Sequence, residues 1–347
     1  MSAGLKVSAP GLYTTVQDLG RPGYQAIGVP VSGALDSVGL RLANALVGNP
    51  PGTPALEVLI SGPTFEIAAD TVRVALAGAG ASLVIGAEKT HIQAGQSVTV
   101  PRGETVEVVV GRQSACCYLG VEGGIAVPQV LGSASTYIRA ALGGLDGRAL
   151  RSGDIVPLAM VRASDRAELG LSAPMPETGD QAIRVVLGPQ QEYFTEEAIA
   201  TLLDAEFRIS ASADRMGMRL DGPLLQLRRG WDIVSDAIVT GAIQVPGSGQ
   251  PILLLADHQT TGGYPKIATV ISADLPVVGR RRPGDALRFT AVTVEAAEEL
   301  CRAAERHITE LATSLEPIAQ RPGIDLGSTS DTSGRVSKGT DRCERPL

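Results

Sequence analysis

Short apolar runs separated by glycine or proline recur along the chain and predict its secondary structure. The runs are rich in Val, Ile and Leu, and turn-forming residues return roughly every 8–12 residues. This spacing is typical of antiparallel β-structure in a barrel or sandwich. The predicted strands are 71–78, 81–86, 96–101, 105–111 and 116–121 in the first half, and 182–188, 207–210, 237–246, 252–257, 267–272 and 286–292 in the second half.

A few segments have the apolar period of an amphipathic helix instead. Apolar residues recur every four positions after Asp36, which we expect to be an N-cap, and Gly48 is expected to stop this helix. Two further helices are predicted over residues 195–205 and 293–315, each with an apolar stripe along one face.

These elements predict a mainly β (α+β) protein of two lobes with few helices. The first lobe is expected over residues 1–160 and the second over 182–292, and each ends with a Gly-Asp turn followed by a strand. Residues 161–181 are polar and aperiodic, which indicates a linker. A C-terminal helix is expected at 293–316. Residues 317–347 contain no aromatic residue and little apolar content, which predicts a disordered tail.

Composition excludes several classes of protein. The 347 residues are 44% hydrophobic but only 3% aromatic, so aliphatic residues must build the core. The formal net charge of -7 argues against a basic nucleic-acid binder. No apolar run approaches the roughly 18 residues of a membrane helix, and the first residues lack the apolar stretch of a secretory signal. We therefore expect a cytoplasmic protein with no nucleic-acid or membrane partner.

The motifs of common enzymes and metal sites are missing from the sequence. There is no GxxxxGK[ST] phosphate loop, no GxSxG elbow, no HExxH and no CxxC pair. The three histidines do not have the spacing of metal ligands. The sequence therefore predicts no metal site and assigns no nucleotide to this chain.

One polar loop holds the densest cluster of candidate site residues. An apolar strand runs directly into a segment with a carboxylate, amide, hydroxyl and amine groups, and two glycines that allow close backbone approach. This composition fits the binding of a small polar substrate, whereas the alternative is a solvated hairpin decorated with turn residues. The candidates are Asp257, Gln259, Thr260, Thr261, Gly262, Gly263, Tyr264 and Lys266.

Three other positions carry a second set of candidates. Arg215 could clamp a carboxylate or phosphate through two hydrogen bonds, or pair with an aspartate of its own loop. Gln244 stands before a Pro-Gly turn, where its amide could orient a substrate or bond only to backbone. Ser32 precedes a predicted helix N-terminus, where anions are favoured. Alternatively, Asp36 caps that helix and Ser32 merely turns the chain.

Four long motifs occur in one order along the chain and support a family resemblance. They are GLYTTVQDLGRPGYQAIGVPVSGALDSVGLRLANALVGN, VLGSASTYIRAALGGLDGRAL, SADRMGMRLDGP and GAIQVPGSGQPILLLADHQTTGGYPKIATVI. With these motifs the chain resembles the biotin-dependent carboxyltransferase family, which includes the C subunit of 5-oxoprolinase and the carboxyltransferase domain of urea carboxylase. The resemblance covers about residues 5–292. It implies two lobes with cyclophilin-like β-barrels.

The resemblance also implies an activity on a small-molecule amide. A chain of this length is more similar to the 5-oxoprolinase C subunit, which works with the A and B subunits to open 5-oxoproline to glutamate at the expense of ATP. One alternative is biotin-dependent carboxyl transfer to urea or a similar amide, with biotin carried on another chain. A second alternative is regulation, as the binding partner of a kinase inhibitor.

Within this resemblance we expect a site between the lobes that activates an amide. Lys266 and Arg215 would bind a substrate carboxylate or phosphate, and Asp257 would transfer a proton. Gln244, Gln259 and Thr261 would orient the amide. These side chains are expected to face one shared polar cavity. The consecutive Arg280, Arg281 and Arg282 depart from the family pattern and have no predicted role.

Overall fold

The computed structural model describes residues 3–175 and 179–318, and these residues form a mainly β protein with four α-helices. Up to residue 157 the elements are β1 (Gly4–Ala9), β2 (Tyr13–Gln17), α1 (Ser37–Leu46), β3 (Ala55–Leu59), β4 (Thr64–Ile67), β5 (Thr71–Ala77), β6 (Ser82–Ile85), β7 (Thr90–Gln93), β8 (Ser97–Pro101), β9 (Thr105–Val109), β10 (Cys116–Val121) and β11 (Ile155–Pro157). The later elements are β12 (Glu168–Leu171), β13 (Ile183–Leu187), α2 (Glu196–Asp204), β14 (Phe207–Ile209), β15 (Gly217–Asp221), β16 (Asp236–Ala237), β17 (Ala242–Gln244), β18 (Ile252–Leu254), β19 (Thr261–Gly262), β20 (Lys266–Val270), α3 (Leu275–Gly279), β21 (Ala286–Leu287), β22 (Phe289–Ala291), α4 (Val294–Thr313) and β23 (Leu315–Ile318). The predicted fold class is confirmed.

The first lobe, formed by β1–β11 and α1, is built from two sheets that enclose one apolar core. One sheet has the strand order β11-β1-β4-β9-β6-β7 and the other has the order β2-β3-β10-β5-β8. Buried residues from both sheets, such as Phe65 and Leu119, pack in the same core. β9 shows the alternation behind this packing, since Val106 and Val108 are buried while their neighbours in the strand face solvent.

The second lobe, formed by β13–β22 with α2 and α3, contains an eight-stranded sheet. Its strand order is β21-β14-β15-β18-β17-β20-β13-β22. Only Arg288 separates β21 from β22 in the chain, so the two edges of the sheet meet and the sheet nearly closes into a barrel. The tilted rings of Phe207 and Phe289 pack inside it with centroids 6.1 Å apart.

The three predicted helices are present as α1, α2 and α4, and the predicted N-cap of α1 is confirmed, but α4 ends at Thr313 and residues 315–316, predicted as helix, belong to β23. The Asp36 side chain accepts hydrogen bonds from the backbone N–H groups of Val38 and Gly39, so it is the N-cap of α1. The outer face of the five-stranded sheet packs against α1, and α4 packs on α1 through Ile308 and Leu311. Because α1 covers that face, β10 is buried on both sides.

Several predicted boundaries differ from the structure. The segment interpreted as a linker, 161–181, contains β12, which pairs with β23 from beyond α4. Residues 317 and 318, the first of the predicted tail, belong to β23, and the remainder of that tail lies outside the described residues. The single strand predicted over 237–246 is two short strands, β16 and β17, in different sheets. These pairings join distant segments, so local periodicity does not reveal them.

Consecutive arginines after α3 tie the second lobe to the first. Arg280 forms an ion pair with Asp36 at 2.9 Å. Arg282 donates to the carbonyl oxygens of Gly111 and Ser114 at 2.5 and 3.1 Å. A Cβ on Gly279 would lie only 2.3 Å from the backbone oxygen of Leu35, so this close approach requires glycine. Arg280 and Arg282 thus hold the interface between the lobes.

Candidate functional site

Arg215 lies at the centre of a buried charge cluster between the lobes. Its Nε and Nη2 donate to the two carboxylate oxygens of Asp257 at 2.8 and 3.1 Å. Nη1 donates to Glu57 of the first lobe, and Nη2 also donates to the carbonyl oxygen of Gly33 at 2.7 Å. The side chain is only 3% exposed. The expected proximity of Arg215 and Asp257 is therefore present, and all three guanidinium nitrogens are bonded to protein groups.

Burial and the nearby charges shift the pKa of Arg215 and of two neighbouring tyrosines. Burial alone would lower the pKa of Arg215, but the carboxylates of Glu57 and Asp257 hold that pKa above its ordinary value. Tyr118 donates a hydrogen bond to Glu57 at 2.5 Å. Burial is the main cause that raises the pKa of this phenol, and the negative charge of Glu57 raises it further. Burial also raises the pKa of nearby Tyr13 to about 12. Both tyrosines therefore keep their protons at neutral pH.

Lys266 begins β20 and belongs to a second polar group. Its ammonium donates to the Asp236 carboxylate at 2.6 Å and to the carbonyl oxygen of Ala237 at 2.9 Å. The side chain is buried, whereas that of Asp236 is half-exposed. The hydrogen bond and positive charge of Lys266 lower the pKa of Asp236. An ammonium has three N–H donors, and the described residues account for two of them.

A pair of glutamine side chains borders this second group. Gln244 is buried opposite Lys266 in the sheet register. Its Nε2 donates to the carbonyl oxygen of Tyr264 at 3.3 Å, and its Oε1 accepts from Gln259 Nε2 at 3.5 Å. Both distances are at the long end for hydrogen bonds, so these bonds are weak. A Cβ on Gly262 would lie 2.7 Å from the Gln244 amide nitrogen, so the loop backbone approaches this amide closely.

The loop that follows Asp257 is partly open to solvent. Gln259, Thr261 and Tyr264 are exposed, and Thr260, Gly262 and Gly263 are half-buried. Thr261 and Gly262 form β19, which pairs with β16 and so brings Asp236 towards Lys266.

Among the described residues, the expected site residues fall into two hydrogen-bonded groups. Arg215 and Asp257 form the first, and Gln244, Gln259, Tyr264 and Lys266 border the second. Asp257 and Gln259 are separated only by His258. Arg215 turns to the first-lobe carboxylate of Glu57, a partner that only the docking of the lobes supplies.

Ser32 lies beside the first group. Its backbone N–H donates to the carbonyl oxygen of Ala256 at 3.1 Å, next to Asp257. The side chain is 5% exposed, and its Oγ has no hydrogen-bond partner among the described residues. Ser32 also has a φ of 55°, in the left-handed region that non-glycine residues seldom adopt. Asp36 is the N-cap of α1, as the alternative interpretation expected.

Sequence reasoning missed several polar residues of this interface. Glu57 is a single carboxylate inside the apolar run ALEVL. A charged residue in the middle of an apolar run was the one sequence signal that could have indicated the buried Glu57. Arg21 is buried near the same interface, and its Nη1 has no hydrogen-bond partner among the residues that the structure describes. Burial lowers the pKa of Arg21, while the charges of Asp18 and Asp257 oppose that effect. Nothing in the local sequence around Arg21 distinguishes it from a surface arginine.

Neither a metal site nor a membrane span is found in the part of the chain that the structure describes. Within 3–175 and 179–318, no group of three or more His, Cys, Asp or Glu side chains is arranged to hold a metal ion. In the same ranges, no helix combines the length and apolarity required to cross a membrane.

The chain thus has a barrel-like second lobe docked on a two-sheet first lobe, with buried charges between them. The sequence profile described as "Carboxyltransferase domain, subdomain A and B" matches residues 27–291, and the chain belongs to this family.

Named relatives fall into two kinds within the family. The C subunit of the Escherichia coli 5-oxoprolinase is 34% identical over 311 residues, which cover 90% of this chain and 98% of the relative. That of Haemophilus influenzae is 36% identical over 86% of this chain and 94% of the relative. The crystal structure of the K. lactis urea amidolyase superposes with a TM-score of 0.80 at 30% identity. It matches 89% of this chain, which spans only 20% of that protein.

Proposed function

We propose that this chain is the C subunit of an ATP-dependent 5-oxoprolinase, a cytoplasmic hetero-oligomer in which it acts with the A and B subunits. The observation that carries the proposal is its alignment with 98% of the C subunit of the E. coli 5-oxoprolinase. The reaction adds water across the lactam C–N bond of 5-oxoproline. The carbonyl carbon becomes the new carboxylate of glutamate, and the ring nitrogen becomes its amino group. ATP hydrolysis by the complex drives this step, and we assign no residue of this chain to the nucleotide.

The Gln244–Gln259 pair is the proposed binding point for the lactam amide. A lactam offers one C=O acceptor and one N–H donor, and each glutamine amide can bond to both kinds of group. The hydrogen bonds that these amides now make, at 3.3 and 3.5 Å, are long enough for a substrate to replace at low cost. The exposed Thr261 and Tyr264 leave this edge of the loop accessible.

Lys266 is the proposed source of positive charge for the lactam oxygen. This oxygen gains negative charge as the carbonyl is attacked or phosphorylated, and a preorganised cation stabilises that charge. Two N–H donors of Lys266 are directed to Asp236 and Ala237, and the third is proposed to face the substrate.

Arg215 takes a positioning role in this proposal instead of the substrate-clamping role expected from the sequence. Its nitrogens hold Asp257, Glu57 and the Gly33 carbonyl oxygen, so a substrate would have to displace protein partners to reach it. Asp257 remains the proposed group for proton transfer, with its orientation fixed by Arg215.

The test is turnover by the complex reconstituted with the A and B subunits, followed as glutamate formed from 5-oxoproline and ATP. We expect Lys266→Ala to lower turnover by about 100-fold or more, as for the loss of one oxyanion donor. The matched control is Lys6→Ala, which removes a lysine that is 57% exposed in the first lobe. It should leave turnover unchanged.

Thermal unfolding of both variants separates a loss of chemistry from a loss of structure. If the wild-type complex forms no glutamate, the proposed function is wrong. If the wild type is active and Lys266→Ala retains its turnover, Lys266 has no place in the site.

Similarity to the urea amidolyase structure supports a second candidate, biotin-dependent carboxyl transfer to urea or a similar amide. Biotin would then be carried on another chain. Avidin should abolish activity of the assembled complex under this alternative, and it should have no effect on the 5-oxoprolinase reaction.

A further inference from the structure

A cavity of about 420 Å³ lies between both lobes and the C-terminal helix. Its walls come from the segment before α1, from the end of β18 and its following residues, from α3, and from one face of α4. The volume is within the range of small-molecule sites in proteins. The proposed 5-oxoproline site uses none of its side chains.

The walls are mainly apolar. Leu255, Leu275, Pro276, Ile308 and Leu311 line the cavity together with several alanines. A ligand with a compact apolar body would bury its surface against these side chains and gain the hydrophobic contribution to binding.

One polar group lining the cavity lacks a partner. Ser32 is 5% exposed, and its Oγ makes no hydrogen bond among the described residues. A buried hydroxyl without a partner costs free energy, and a ligand oxygen that accepts a hydrogen bond from it would recover that cost. The ligand should therefore carry a carbonyl-type oxygen at this end of the cavity.

The charged residues around the cavity are already compensated. Arg280 forms its ion pair with Asp36 at 2.9 Å, and Glu305 of α4 forms one with Arg41 at 2.8 Å. An anionic ligand among these apolar walls would therefore find no unpaired cation to balance its charge. An uncompensated buried charge is strongly disfavoured. The electrostatics favour an uncharged ligand.

We propose that this cavity binds a small uncharged ligand with a compact apolar body and a carbonyl oxygen that accepts a hydrogen bond from Ser32. The site is separate from the proposed lactam site, although Ala256 in its wall is adjacent to Asp257 in the chain. The binding is a property of this chain by itself and does not depend on the 5-oxoprolinase assignment.

The test compares cyclohexanecarboxamide with cyclohexanecarboxylate, two probes of nearly equal shape that differ in charge. Titration calorimetry on the full chain should show that the carboxamide binds at least tenfold more tightly. Ser32→Ala should weaken carboxamide binding by about tenfold, the usual effect of losing one hydrogen bond. Equal affinity for the two probes, or no binding of the carboxamide, would overturn the proposal.

Two variants of α4 test the location. Ala304 lines the cavity, whereas Ala303 on the same helix is exposed. We expect Ala304→Leu to fill the cavity and abolish carboxamide binding, and Ala303→Leu to bind like the wild type. If both variants bind equally, the ligand is not in this cavity.

Cys301 provides an independent readout because its partly exposed thiol also lines the cavity, whereas Cys116 and Cys117 are buried. The carboxamide should slow alkylation of Cys301 by N-ethylmaleimide, followed by mass spectrometry of the peptide that contains it. Unchanged alkylation at a saturating carboxamide concentration would contradict the assignment.

Discussion

Replacing Arg215 with methionine tests the central claim that this side chain ties the two lobes together. The substitution keeps the length of the side chain but leaves Glu57 and Asp257 as buried carboxylates without their cation. Glu57 is fully buried and Asp257 nearly so. Breaking a buried ion pair from one side costs about 3–5 kcal/mol, so Arg215→Met should lower the free energy of unfolding by at least this amount.

Urea denaturation followed by circular dichroism measures this loss. Arg208→Met is the matched control, because Arg208 is 63% exposed and paired with Glu206 on the surface. Exposed pairs contribute roughly 0–1 kcal/mol, so the control should remain close to the wild type. A further variant combines Arg215→Met with Glu57→Gln and Asp257→Asn. It should regain part of the lost stability because the two uncompensated charges are removed.

A difference between Arg215→Met and the wild type below about 1 kcal/mol at pH 7, or no gain from the added carboxylate replacements, would refute the buried-pair explanation.

Two further predictions concern other contacts of the interface and the loop. Burial lowers the pKa of His258, so its neutral form stabilises the fold above the unfolded pKa of about 6.5, and that contribution is lost as pH falls below it. Between about pH 7.5 and about pH 5, the free energy of unfolding should fall more for the wild type than for His258→Asn. Equal decreases of the two proteins in urea denaturation would contradict this prediction. Gly279→Ala places a Cβ 2.3 Å from the Leu35 carbonyl oxygen and should cost about 1–3 kcal/mol. Gly230 has open space around it, so the control Gly230→Ala should stay within about 1 kcal/mol of the wild type. Equal melting temperatures of Gly279→Ala and Gly230→Ala would rule out the close contact at Gly279.

Much of the secondary structure was predictable because its signals are local. The cap at Asp36 and the four-residue apolar period predicted α1, and the β-branched runs predicted strands such as β5, β8, β9 and β10. The order of the family motifs predicted the carboxyltransferase fold. β3, which carries Glu57 at its centre, was not among the predicted strands.

Only part of the candidate site followed from the sequence. The loop from Asp257 to Lys266 was identified because glycines and polar groups cluster there. The partners that decide what each side chain does, Glu57 for Arg215 and Asp236 for Lys266, are 158 and 30 residues away in the chain. No local pattern encodes such pairs, so Arg215 was expected to bind substrate although it binds the first lobe.

The amino-acid pattern alone determined the kind of elements, their approximate order and the membership of the chain in a family, because periodicity, capping and turn residues act over a few positions. Tertiary structure decided how β12 and β23 pair, how the barrel sheet closes at Arg288, and how Arg280 and Arg282 join the lobes. The cavity behind α4 also exists only after the lobes and the helix have packed. Burial makes each of these contacts energetically important, and burial is a property of the folded chain.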